Sequence, residues 1–432
     1  MQFYNIKNTN ETVSFRRAVL KGVASGQGLF FPAVIPKLPE DFYSRIDDMA
    51  LPEMASEVLH YYTQEDFTKD QLDDICTAAF NFSVPLVKVE DSVYTLELFH
   101  GPSLAFKDVG ARFLAEVLKK VALEEENKIT VLVATSGDTG SAVAKSFYNV
   151  EGVEVVLLYP SGKVSALQEK TLTTMGGNIS ALEVDGAFDD CQRLVKFAFA
   201  DDDLNKQLRL TSANSINIGR FLPQVVYYFW AWKQLPKEER DGVIFSVPSG
   251  NYGNLSAGIL AHKMGLPVNK FIASSNINKV FPDYLETGTY EPRKAIQTIS
   301  NAMDVGDPSN FVRITEMFHH KHASVIQTIS HHVADDEQTK QAIKQLYTEK
   351  GYLLDPHGAI GYLGCKHHLN TGETGIFLET AHPGKFKESV EGSIGEDIEL
   401  PDYLKELGEK EKQSVKIKAS YKNLKDWLLK DK

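Results

Sequence analysis

Cysteine is scarce in this chain: the three residues Cys76, Cys191 and Cys365 in 432 positions lie far apart and outside any C-x-x-C arrangement. Such spacing offers neither a disulfide framework nor a zinc knuckle, and reduced structural thiols are the expectation. Also missing is an uninterrupted apolar run of the roughly 18 residues that a membrane span requires. The opening Met1-Gln2-Phe3-Tyr4-Asn5 lacks the basic-then-apolar order of an export signal, so a cytoplasmic location is expected. Positive charge is in deficit. A formal net charge of −12 repels phosphate backbones and acidic lipid, which argues against nucleic-acid and membrane partners and for a small-molecule substrate. No obligatory protein partner is evident, and neither a solenoid-length repeat nor a low-complexity tract occurs. His319, His320, His322, His331 and His332 bring no fixed pattern of carboxylate or thiolate companions, so no metal is expected.

What is present is an ordinary globular composition, 43% hydrophobic and 24% charged, on a chain longer than one core usually organises. From about Val93 onward, short β-branched runs at 93–99, 129–134, 153–159, 243–247, 271–274 and 376–379 alternate with helical patterns. That rhythm predicts an α/β fold of mainly parallel sheets covered by helices. Residues 1–90 read as a separate N-terminal domain, 91–235 as a smaller α/β lobe, 236–400 as a larger one, and 401–432 as a tail ending in a surface helix. The aromatic stretch Leu222 to Leu235 precedes the polar turn Pro236 to Arg240 and reads as the crossing between the lobes.

Five short segments carry chemistry. In Phe99 to Asp108, Lys107 sits just before the amphipathic segment 109–121, near a helix N-terminus. There the helix dipole and burial favour the neutral amine, the form that attacks an aldehyde, and Phe106 helps exclude water. Ser249-Gly250-Asn251-Tyr252-Gly253-Asn254 lies between a strand and a helix, and its two glycines let backbone N–H groups turn inward around one phosphate. It matches neither the P-loop nor G-x-G-x-x-G, and its plainer reading is a tight turn. Thr135-Ser136-Gly137-Asp138-Thr139-Gly140 suits a substrate carboxylate, or else caps the following helix. Asn214-Ser215-Ile216-Asn217-Ile218-Gly219-Arg220 groups neutral donors with a guanidinium, able to clamp a second phosphate or to form a surface turn. In Leu378 to Phe386, Thr380 ends a strand where its hydroxyl could meet a heterocyclic nitrogen, or simply begin the Pro383 turn.

Read in order, Phe106-Lys107-Asp108, Ser136 to Gly140, Asn214 to Asn217 with Arg220, Gly250 to Asn254 and Thr380-Ala381-His382-Pro383 resemble the threonine synthase family. Asp304 to Phe311 and Val13-Ser14-Phe15 extend the likeness over nearly the whole chain. The resemblance implies a fold-type-II pyridoxal 5'-phosphate (PLP) enzyme, tryptophan synthase β-like, with Lys107 as the Schiff-base lysine and Phe106 beside it. It places Gly250, Asn251, Tyr252, Gly253 and Asn254 around the cofactor phosphate and Thr380 against the pyridine nitrogen. It also implies that Ser136, Gly137, Asp138 and Thr139 hold the substrate carboxylate, while Asn214, Ser215, Asn217 and Arg220 hold the phosphate of O-phospho-L-homoserine. The implied reaction is γ-elimination of phosphate, then addition of water at Cβ to give L-threonine. A phospho-lyase that releases a 2-oxo acid, ammonia and phosphate shares the early steps, and a non-catalytic PLP carrier or nucleotide-binding module is a reading from another class. Two loops depart from the family: Gly26-Gln27-Gly28 stands where Asp-Gly-Gly is common, and Gly358 stands where threonine usually follows His357.

Overall fold

The computed structural model describes residues 1–125, 128–135, 137–164 and 166–430. Among these, the strands in chain order are β1 (Gln2–Asn5), β2 (Asn8–Ser14), β3 (Phe30–Pro32), β4 (Leu86–Glu90), β5 (Val93–Glu97), β6 (Ile129–Ala134) and β7 (Val153–Pro160). They continue as β8 (Ile179–Asp185), β9 (Arg209–Ser212), β10 (Val243–Pro248), β11 (Lys270–Ser275), β12 (Ile329–Val333), β13 (Thr374–Glu379) and β14 (Val415–Lys418). Every residue of β6, β10 and β13 is buried, as befits strands covered by helices on both faces.

Three sheets result. A six-stranded sheet runs β12-β11-β10-β13-β5-β4, parallel except for the antiparallel edge pair β4 and β5. A five-stranded sheet, β14-β8-β7-β6-β9, is parallel throughout, and a small antiparallel sheet, β2-β1-β3, lies at the N-terminus. In the larger sheet Phe377 pairs with both Ser246 and Thr95, so β10, β13 and β5 end side by side and release the loops that begin at Ser249, Thr380 and Leu98. In the smaller sheet Leu132 pairs with Ser212, which sets the loops after β6 and β9 next to each other.

The mainly parallel α/β architecture is as expected. Val93–Glu97, placed by sequence in the smaller lobe, belongs to the larger sheet, because alternation of strands and helices does not say which sheet a strand joins. Phe15 packs on Phe113 (centroids 6.4 Å apart) and Phe42 on Phe229 (5.7 Å), so the N-terminal helices share one core with the rest. The tail, expected as a surface helix, also supplies β14 to the edge of the smaller sheet, and its helix Tyr421–Leu428 buries Leu424 completely. The expected lobe crossing is a buried helix, Val225–Gln234, whose Tyr227 hydroxyl donates to the Phe106 carbonyl (2.7 Å) and whose Tyr228 hydroxyl donates to the Asn254 carbonyl (2.6 Å). One aromatic helix therefore braces both the Lys107 loop and the 249–254 loop. Among the described residues no helix is long and apolar enough to cross a membrane.

Leu424 packs with Leu182, Val184 and Leu194 in a satellite core on the outer face of the smaller sheet. Leu424→Ala is expected to lower stability by about 2–5 kcal/mol, seen as a lower urea midpoint. An unchanged midpoint would show that the tail is a surface appendage.

Candidate active site

Lys107 opens the helix Lys107–Ala122 and is aimed by a short ladder to the loop after β13. Ala105 bridges Ala381, the Phe106 N–H donates to the Thr380 carbonyl at 2.9 Å, and the His382 N–H donates to the Leu104 carbonyl at 3.0 Å. The Lys107 side chain is 18% exposed, with Nζ 3.8 Å from Asp138 Oδ2 and 5.4 Å from the centre of the Phe106 ring. Burial lowers its pKa against the pull of Asp138, and the cations Lys385 and Arg220 lower it further. The neutral amine is thereby favoured, as a nucleophile toward a carbonyl carbon requires.

The 249–254 loop leaves the end of β10, next to β13 in the same sheet. Its side chains are engaged within the protein: Ser249 Oγ donates to Asn254 Oδ1 (2.7 Å), Asn254 Nδ2 donates to the Pro248 carbonyl (2.8 Å), and Tyr252 Oη meets Ser275 Oγ (2.5 Å). The backbone is what remains. The N–H groups of residues 250–254 find no acceptor among the described residues, and the helix Gly253–Lys263 begins there with its positive end toward the same space. Gly250 is required because a Cβ would stand 2.7 Å from Met303 Cα.

The loops of the smaller sheet close the cleft from the other side. Thr135 Oγ1 accepts from the N–H groups of Gly137 (3.2 Å) and Gly140 (2.8 Å), which folds that turn, while Ser136 lies outside the described residues. Asp138 starts the helix Asp138–Phe147, with Thr139 half-buried after it. The Asp138 carboxylate, expected among the groups receiving a substrate carboxylate, stands between two lysines: Oδ2 toward Lys107 and Oδ1 2.5 Å from Lys385 Nζ. Lys385 and Lys107 outweigh burial and hold it well below the usual carboxylate range. A fixed anion repels a second carboxylate, so only its backbone suits the role expected of it.

Asn217 is fully buried, donating to the carbonyls of Val19 (3.0 Å) and Ser212 (2.7 Å) and capping Gly219 N–H (2.9 Å); its side chain builds the turn and has no donor to spare for a ligand. Asn214 Nδ2 reaches the Ala134 carbonyl at 3.0 Å and couples the loops after β6 and β9. Arg220 is buried, bonds the Ala213 carbonyl through Nη1, and keeps a buried Nε with no partner among the described residues. Burial lowers its pKa to about 10, which leaves it charged at neutral pH. Ser215 is half-buried, and a Cβ on Gly253 would lie 3.6 Å from the Ser215 Cβ, so this loop and the 249–254 loop face each other directly.

Three groups to which the sequence alone assigned no role hold these pieces together. Asn310 Nδ2 donates to the Asn251 carbonyl (3.0 Å) and toward Ser215 Oγ (3.3 Å), and the fully buried Arg313 donates to the carbonyls of Ser215 (2.9 Å) and Ile216 (2.7 Å). Lys385 is the third, and its only sequence signal is a lone lysine in the turn Pro383–Phe386. Behind Thr380, the Asp355 N–H donates to Glu379 Oε1 (2.6 Å), and His357 Nδ1 bonds Asp355 Oδ1 (2.5 Å). Burial, and then the neighbouring Asp355, push the Glu379 carboxyl well up. The Thr380 hydroxyl itself, on a residue 6% exposed, has no partner among the described residues.

Residues 81–378 match the family described as pyridoxal-phosphate dependent enzyme, residues 2–80 the threonine synthase N terminus, and residues 358–428 the threonine synthase C-terminal region. The threonine synthase of Haemophilus influenzae is 46% identical over 430 residues, all of both chains. The chain belongs to the threonine synthase family. The crystal structure of threonine synthase from Escherichia coli superposes with a TM-score of 0.94 at 44% identity over the whole of both chains. A PLP-bound threonine synthase from Brucella melitensis superposes at 0.92, with 32% identity over 99% of this chain and 98% of that one. The chain is thus a fold-type-II, PLP-dependent enzyme.

The residues fit PLP. A row of unengaged N–H groups, a poised lysine and a free hydroxyl lie at neighbouring strand ends, and Ser103 Oγ, Ser141 Oγ and Gln224 Oε1 are further buried polar atoms without partners among the described residues. In apolar surroundings such atoms call for a ligand or water.

The family departure at Gly358 has a steric cause: a Cβ there would stand 1.5 Å from Glu379 Oε2. At Gln27 the departure falls in an exposed turn, where φ is +58° and the glycine usual in the family would be unstrained. Gly358→Thr is expected to cost about 1–3 kcal/mol by overpacking, and Gly358→Thr with Glu379→Ala to recover most of that loss. Additive costs in denaturant melts of the two single variants and the double would refute the steric account.

Proposed function

We propose that this enzyme converts O-phospho-L-homoserine and water to L-threonine and phosphate, with Lys107 as its Schiff-base lysine. The observation that carries the reading is the meeting of two anion-receiving loops on one lysine. The N–H groups of 250–254 lie at the end of β10, and the Ser215 and Arg220 loop lies at the end of β9, with Gly253 and Ser215 in direct apposition. One phosphate belongs to the cofactor and the other to the substrate.

Bound PLP supplies the electron sink that stabilises negative charge at the substrate Cα. The backbone at 250–254 grips the cofactor phosphate, and the Thr380 hydroxyl gives the pyridine nitrogen a neutral partner instead of an anion. Arg220, Ser215 and Asn214 orient the departing phosphate, Asn217 holds their turn in shape, and the 135–140 turn with Ser136, Gly137 and Thr139 receives the substrate carboxylate through N–H groups and hydroxyls. Lys107 Nζ then serves as the proton carrier: it takes the Cα proton and passes it on, takes a Cβ proton as phosphate leaves from Cγ, and returns a proton to Cγ, after which water adds at Cβ and Cα is reprotonated. Phe106 and the braced aromatic helix keep bulk water from the amine.

Incubation with O-phospho-L-homoserine, followed by phosphate and product analysis, is expected to yield threonine and phosphate in equal amounts. Lys107→Ala should abolish turnover and leave PLP held without a covalent link, so that borohydride fixes none of it. Release of 2-oxobutyrate in place of threonine would establish a phospho-lyase, and phosphate release by Lys107→Ala at the native rate would remove Lys107 from the chemistry.

A further inference from the structure

Two lysines, one buried and one half-buried, share one carboxylate in this site, and they share it unequally. Lys385 Nζ lies 2.5 Å from Asp138 Oδ1, whereas Lys107 Nζ lies 3.8 Å from Oδ2. The Lys385 side chain is 3% exposed against 18% for Lys107, and its ammonium has a second acceptor in the Ser103 carbonyl at 3.0 Å. Its direction is set by the proline turn, in which His382 Nδ1 accepts from the Gly384 N–H (3.0 Å) and the Lys385 N–H closes onto the His382 carbonyl (3.0 Å). The pair joins opposite halves of the cleft, Asp138 from the end of β6 and Lys385 from the end of β13. Such a pair contributes little to stability relative to apolar packing, so its position beside Lys107 requires another explanation.

We propose that Lys385 is a positioning residue, which holds Asp138 as a fixed counter-anion beside Lys107 and takes the one positive charge that this carboxylate can balance, so that Lys107 meets the cofactor aldehyde as a free amine. The groups around the trio are consistent with that division. Arg220 faces Lys107 as a further cation, and His357 faces Asp138. Asp108 also interacts with Lys385 and with Lys145, but burial raises its carboxyl and it accepts from the Ser103 N–H at 2.8 Å, so it is a poor second anion. Without the Lys385 charge, Asp138 would turn its full attraction on Lys107 and hold it as an ammonium.

This inference rests on Lys107 being the Schiff-base lysine, which the borohydride experiment decides on the loaded enzyme; its own test needs no cofactor. The full-length chain, freed of PLP, is labelled with trace acetic anhydride across a pH series, and acetylation of the Lys107 peptide is followed by mass spectrometry. The native chain should show a midpoint below that of surface lysines. In Lys385→Met the midpoint should rise by at least about one pH unit, a tenfold loss of free amine at a given pH below it. Lys385→Arg should keep the native midpoint, and Asp138→Asn combined with Lys385→Met should bring it back down. Should Lys385→Met fail to fold, Lys385→Gln retains a donor for the Ser103 carbonyl and carries the same test. A folded neutral variant with lost activity and a native Lys107 midpoint would overturn the proposal and leave Lys385 a structural pair with Asp138.

Discussion

Parallel strand direction is the constraint on which this site depends. β5, β10 and β13 in one sheet and β6 and β9 in the other each end at the cleft, and each is followed by a loop that leads toward a helix. Helices starting at Lys107, Asp138 and Gly253 begin directly after these strand ends and bring their positive ends to the cleft, and before the last of them the N–H groups of 250–254 are unengaged among the described residues. In a chain of net charge −12, that gathering, joined by the buried guanidinium of Arg220, makes a local positive field suited to a phosphorylated cofactor and a phosphorylated substrate.

The loops are held by groups that need not touch a ligand. Tyr227 and Tyr228, adjacent on one helix, brace the Phe106 and Asn254 carbonyls, so the lysine and the phosphate cradle share a support. Asn310 and Arg313 tie the 214–217 turn to the 249–254 turn across the two halves. The N-terminal helices complete the same core, with Phe15 and Phe42 packed against the helices that carry Lys107 and the two tyrosines. A site assembled this way has its geometry fixed by packing before a ligand arrives.

Much of this was legible from residues in order. The runs at 129–134, 243–247 and 376–379 are strands because β-branched and aromatic side chains bounded by polar turns have few other options, and the glycines at 250 and 253 mark a turn wherever they occur. What was not legible depends on pairing through space. Nothing in Val93–Glu97 says that it joins β13, and nothing in the 415–418 segment says that it extends the smaller sheet beside β8. The setting of Asp138 was hidden for a related reason: beside a glycine turn a carboxylate looks like a helix cap or a ligand contact, and its ion pair with Lys385, almost 250 positions away in sequence, exists only in the fold. Gly358 was visible as a departure, but its cause, Glu379, lies on a different strand.

The family relationship leaves the residue assignments to be tested on this chain itself. The most direct measurement is a crystal structure of the chain grown with PLP. The account requires density continuous from Lys107 Nζ into the ring, with the cofactor phosphate accepting the N–H groups of residues 250–254. A ring joined to another lysine, or a cofactor phosphate seated against Arg220, would contradict it.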